Sequence, residues 1–197
     1  MIPVTPQPEP ADFDQLVRKP GHAYLITHPH AATKELPPYW QKTTKELWQA
    51  YSGICAYLAV YFDFTSGAAS TDHFIPKSSP DKRLAYEWSN YRLSCLGENR
   101  AKGTKHPLDP FELRPNSFVL NQIDGSILPN ADQDKTYQKQ CQETIDALNL
   151  NAPNVKDMRM AYLDEYLQGH VDLDYMKRKS PFIYSEIDRQ HITPMSC

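Results

Sequence analysis

The chain has 197 residues, 40% of them hydrophobic, and a formal net charge of -3. That length suits one domain, or one core with appendages, and can bury a real interior. No apolar run approaches the roughly 20 residues that cross a bilayer, and the acidic balance gives no general support for nonspecific nucleic-acid binding, which is ordinarily basic.

Seventeen prolines against seven glycines point to long irregular connections between elements. Residues 1–32, rich in proline and histidine and without sustained periodicity, read as an irregular arm. His22, His28 and His30 there have no acidic or cysteine partner nearby and read as loop histidines. The opening MIPVTPQPEPADFD has no basic region followed by an apolar stretch, so a cytoplasmic, membrane-free location is expected.

From Pro38 to Ala50, Tyr39, Trp40, Leu47, Trp48 and Tyr51 recur at helical spacing, which predicts a helix with an aromatic core face. Ile54 to Phe64 is β-prone, Thr65-Ser66-Gly67 interrupts it, and Ala68 to Ile75 resumes as extended chain. Ser79-Pro80-Asp81 marks a loop. Asn90 to Cys95 alternates as a short strand, and Gly97 to Gly103 reads as a short helix closed by glycine. The local order is strand, loop, strand, helix.

After Thr104, Pro107, Pro110 and Pro115 enforce an irregular connection. Phe118-Val119-Leu120 and Ser126-Ile127-Leu128 flank Asp124-Gly125, which predicts a hairpin. Helices are expected over Thr136–Leu148 and Val155–Leu167, and Ser180-Pro181 opens a short tail. Cys55, Cys95, Cys141 and Cys197 form no Cys-x-x-Cys pair and no disulfide framework.

Chemistry concentrates in Asp72-His73-Phe74-Ile75-Pro76-Lys77-Ser78. Seventeen positions after His73 comes Asn90, in Trp88-Ser89-Asn90-Tyr91-Arg92-Leu93, and nine further comes Asn99, in Glu98-Asn99-Arg100-Ala101-Lys102-Gly103. Adjacent side chains on a strand diverge, so an Asp-His pair alone is as consistent with a surface strand end. Between Asp72 and His106 seven Lys and Arg face four Asp and Glu, a local excess that also fits a solvated surface.

These motifs resemble the HNH, or ββα-metal, endonucleases, with their Asp-His-hydrophobic-x-Pro segment, middle asparagine, and closing His or Asn before a basic helix. The closing Asn-Arg-x-Lys is similar to the nuclease module of RNA-guided DNA-cleaving enzymes. The resemblance implies an α+β fold: a ββα-metal core extended by an N-terminal helix and a C-terminal hairpin with helices. It divides the chain into the arm at 1–32, the nuclease core at 33–106 and the extension at 107–197.

By the same resemblance, Asp72 and Asn99 hold Mg2+ or Mn2+, His73 is the general base, and Asn90 ties the connecting loop that aims it. Arg100 and Lys102 touch phosphates, although basic residues at a helix C-terminus also offset the helix dipole. Many family members carry two Cys-x-x-Cys pairs for a structural zinc. Here Cys55 and Cys95 keep the first position of each pair, while Leu58 and Glu98 replace the second, so the zinc is expected to be absent. More weakly, Phe118 to Leu128 followed by Thr144 to Arg159 resembles a bacterial HNH group, the PtuB type of Septu and retron-associated anti-phage systems, some of which act with a partner ATPase. The expected activity is phosphodiester hydrolysis, in DNA more than RNA. The alternatives are a catalytically silent HNH-like scaffold and a nucleic-acid-binding subunit without chemistry.

Overall fold

In a computed structural model, which describes residues 1–194, strand β1 (Ala69–His73) pairs antiparallel with β2 (Tyr91–Cys95). The register sets Asp72 opposite Arg92 and His73 opposite Tyr91. Helix α1 covers Lys19–Thr27, α2 covers Thr44–Ala50, and α3 (Leu96–Lys102) follows β2 without a break. Gly103, at φ 52°, ends α3 as its glycine foretold.

These elements belong to one of two compact units, formed by Thr5–Gly53 and Phe62–His106. Its core holds Phe13, Val17, Trp40, Leu47, Tyr86 and Tyr91. The second unit takes Met1–Val4, Ile54–Tyr61 and the chain from Pro107 onward. It contains a hairpin, β3 (Phe118–Leu120) with β4 (Ile127–Pro129), and helices α4 (Lys135–Leu148), α5 (Pro153–Leu167), α6 (Leu173–Lys179) and α7 (Pro181–Gln190). The architecture is α+β. Among the described residues no helix is long and apolar enough to cross a membrane.

Three local expectations need correction. The 1–32 segment is not irregular throughout. A π-helical turn over Asp14–Arg18 leads into α1, and Phe13 and Val17 are fully buried. Gly21 lets α1 press against Tyr86, since a Cβ there would lie 2.2 Å from the ring. Arg18 anchors the same turn by bonding Glu87 at 2.9 Å.

The β-prone run from Ile54 forms only a single bridge, Ile54 to Tyr61. Its backbone closes on itself instead, with Cys55 N–H donating to Val60 O and Ala59 N–H to Cys55 O. Every residue from Cys55 to Val60 is buried. Burial is therefore met by a folded loop, without a ladder partner. Finally, Ser180-Pro181 opens α7 and no tail, because proline is well suited to the first helical turn.

The hairpin is as expected, with Asp124-Gly125 in its turn and Gly125 at φ +71°. Helix α4 starts on Asp134, whose side chain accepts from Tyr137 N–H, and buries Tyr137, Cys141, Ile145 and Leu148. Cys197 lies outside the described residues.

Candidate active site

His73 is the last residue of β1, and the chain turns immediately after it. Phe74 N–H donates to Asn90 O at 2.9 Å. The Asn90 side chain then holds the turn from both sides. Its Oδ1 accepts from Ile75 N–H at 2.7 Å, and its Nδ2 donates to Ile75 O at 3.0 Å and Leu84 O at 2.9 Å. Asn90 is itself buried, and these bonds satisfy the polar groups that burial would otherwise strand.

The imidazole of His73 is wedged edge-on against Trp40, at 4.8 Å between ring centres, and against Tyr91, at 5.2 Å. Its Nε2 lies 3.0 Å from Ala85 O. A carbonyl only accepts, so Nε2 carries the hydrogen and Nδ1 carries the lone pair. Tyr91 OH donates to the same carbonyl at 2.8 Å. Burial lowers the His73 pKa to about 3, helped by the charges of Lys77 and Lys102 and opposed by the Ala85 hydrogen bond. The ring is neutral at physiological pH.

Asp72 and His73 would point to opposite faces of a regular strand. At this strand end they line one cavity of about 250 Å3, together with Asn99, Lys77, Ser78 and Thr104. Asn99 reaches it from α3, with its Nδ2 donating to Ser70 Oγ. Three of the sequence-derived residues therefore meet in one place. Asn90 stands behind them, as the clamp on the loop.

Arg100 is exposed on α3. Lys102 departs from the expectation that it meets phosphate. It is fully buried, with its ammonium 3.2 Å from Asp72 Oδ1 and 2.8 Å from His73 O. Position 102 follows Asn99 by three residues, so both fall on the α3 face turned toward β1. Sequence reasoning passed over Lys77 and Trp40. Lys77 Nζ sits 4.2 Å from the centre of the Trp40 ring, on the wall of the cavity. The proximity of Lys77 to the Asp-His motif was its only signal.

Among the described residues no group of three or more His, Cys, Asp or Glu is arranged to hold a metal ion. The cavity offers a carboxylate from Asp72 and an amide oxygen from Asn99. Two hard oxygen donors leave the other positions to water and phosphate, which fits Mg2+ and its reluctance to dehydrate. Cys55 and Leu58 are buried in the second unit, while Cys95 and Glu98 are partly buried in the first.

No family model matches the sequence. A protein of Vibrio cholerae serotype O1 biovar El Tor, named "Retron Vc95 putative HNH endonuclease", is 24% identical over 181 residues. The likeness spans 85% of this chain and 84% of that protein. The chain is thus similar, at a distance, to a retron-associated protein named as a putative HNH endonuclease.

Proposed function

We propose that the chain is a metal-dependent HNH endonuclease that hydrolyses phosphodiester bonds, in DNA, with β1, β2 and α3 as its ββα-metal core. The observation that carries this reading is the neutral His73. Its Nε2–H is engaged by Ala85 O, and it shares a cavity with the oxygen donors of Asp72 and Asn99.

His73 Nδ1 accepts the proton of the attacking water, and the Nε2 bond to Ala85 O steadies the imidazolium that results. Asn90 holds the loop that supplies that carbonyl, and so fixes the ring's aim. Asp72 and Asn99 are the residues that would hold Mg2+, with Mn2+ as a substitute. When bound, the ion supplies Lewis-acid stabilisation of charge on the phosphoryl and leaving oxygens. The buried walls formed by Trp40 and Tyr91 keep bulk water from His73, which keeps it unprotonated.

The retron-associated relative and the resemblance of the region from Phe118 to Arg159 support a cytoplasmic anti-phage effector that works with a partner ATPase. His73→Ala should abolish cleavage of plasmid DNA in Mg2+ while leaving the circular dichroism spectrum unchanged. Retained nicking at the wild-type rate would sink the assignment.

A further inference from the structure

We propose that Lys77, seated on the face of Trp40, binds a non-bridging oxygen of the scissile phosphate. This inference rests on the nuclease reading above and adds the substrate-binding cation to it. Most basic side chains near the site are already committed. Lys82 donates to Ala31 O, Arg83 is bonded to Asp81, Arg92 donates to Ser89 O and Tyr91 O, and Lys102 is held by Asp72 and His73 O. Among the described residues Lys77 has its cation–π contact at 4.2 Å and no hydrogen bond or ion pair at contact distance.

Lys77 is also in the right place. It lines the same cavity as Asp72, His73 and Asn99. Its charge reaches His73, where it helps to hold the imidazole neutral, and it feels the charge of Asp72 in turn. Burial lowers its own pKa, so an anion entering the cavity meets a poorly solvated ammonium. A low-dielectric site strengthens that attraction most where negative charge grows during reaction.

Trp40 holds both partners, stacking its face under Lys77 and setting its ring edge-on to His73. The general base and the phosphate-binding cation are therefore referred to one buried indole. A second hollow of about 300 Å3 shares Pro76, Ser78 and Thr104 with the first. It gives the strand a path away from the scissile bond.

The test uses the full chain with two neutral variants, Lys77→Gln and Lys77→Met, the second keeping an apolar stem on Trp40, and with Lys77→Arg. Cleavage of a short DNA duplex in Mg2+ should slow by about 100-fold in kcat for both neutral variants, with unchanged melting temperatures. Binding of the same duplex, measured in a His73→Ala background, should lose about one unit from the slope of log K against log salt. Lys77→Arg should restore that slope. Neutral variants that cut within twofold of wild type with the wild-type salt slope would overturn the role of Lys77 and leave the nuclease reading standing. A wild-type chain that neither cuts nor binds DNA with Mg2+ or Mn2+ would overturn both.

Discussion

Lys102 changes the electrostatics of the site from what a bare carboxylate would give. Its ammonium and the Asp72 carboxylate are almost wholly removed from solvent. Neither charge is tolerable there alone, since losing one partner of a buried pair typically costs about 3–5 kcal/mol. The second bond, to His73 O, lets Lys102 hold the Asp-His backbone as well as the carboxylate. Lys102 is thus a positioning residue for the proposed metal ligand. A lysine that ends a short helix immediately before its closing glycine reads from sequence alone as a phosphate contact or a partner of the helix dipole. Only the face of α3 decides otherwise.

His73 carries a consequence for pH at the same scale. Its folded pKa is about 3, against roughly 6.5 for an unfolded histidine. Above the unfolded value both states are neutral and the group is silent. As pH falls from about 6.5 towards 3, the unfolded chain takes up a proton that the folded chain refuses, so stability declines by up to about 1.4 kcal/mol per pH unit. In EDTA, urea midpoints of the wild type should fall more between pH 7 and pH 5 than those of His73→Gln. Identical pH dependence in the two proteins would show that His73 titrates normally.

Among the elements, packing overrode local propensity in two directions. Helix α1 contains Pro20 and Gly21 in Lys19-Pro-Gly-His22, which argues against a helix on propensity alone. The proline falls in the first turn, where it is tolerated, and the glycine is needed for the approach of Tyr86. Gly21→Ala should therefore destabilise by about 2 kcal/mol, because forcing a methyl into a filled site outweighs the gain of about 1 kcal/mol in helix propensity. Thermal melting is the measurement, and a variant as stable as the wild type would refute the close contact.

The run after Ile54 shows the opposite override, with strong β formers folded into a buried loop. The hairpin and α4 were legible because their signals are local. An Asp-Gly turn acts within a few residues, and the apolar periodicity of a helix needs only its own segment. Asn151 repeats the device used by Asn90: its side chain bonds both Ile127 N–H, at 2.8 Å, and Ile127 O, at 2.9 Å. Two asparagines thus fix backbone segments distant in sequence.

For the whole molecule, the sum of charge is a poor guide to what nucleic acid would meet. Between Asp72 and His106 the positive excess is three, counting seven cations against four anions. At least four of the seven are spent on protein partners, at Lys82, Arg83, Arg92 and Lys102. With an overall charge of -3, the chain should bind duplex weakly by itself. The slope of log K against log salt should be no steeper than about -3 for the His73→Ala protein, since each phosphate contact contributes roughly 0.9. A slope near -8, measured by fluorescence anisotropy, would reveal a phosphate-binding surface elsewhere and remove the reason to expect recruitment by a partner.

The sequence by itself determined the order of strand, loop, strand and helix, which follows from short-range chemistry because strand alternation and a glycine stop need few distant partners. The grouping of Asp72, His73 and Asn99 and the tether role of Asn90 came from the resemblance to HNH endonucleases, since spacing alone leaves an Asp-His pair at a strand end ambiguous. The tertiary structure alone decided that Asp72 and His73 converge on one cavity, that Lys102 turns inward to the carboxylate, and that Lys77 rests uncommitted on Trp40. The reason is physical. Burial and pairing belong to surfaces brought together from distant parts of the chain, and they determine which charges are spent on the fold and which remain for a substrate.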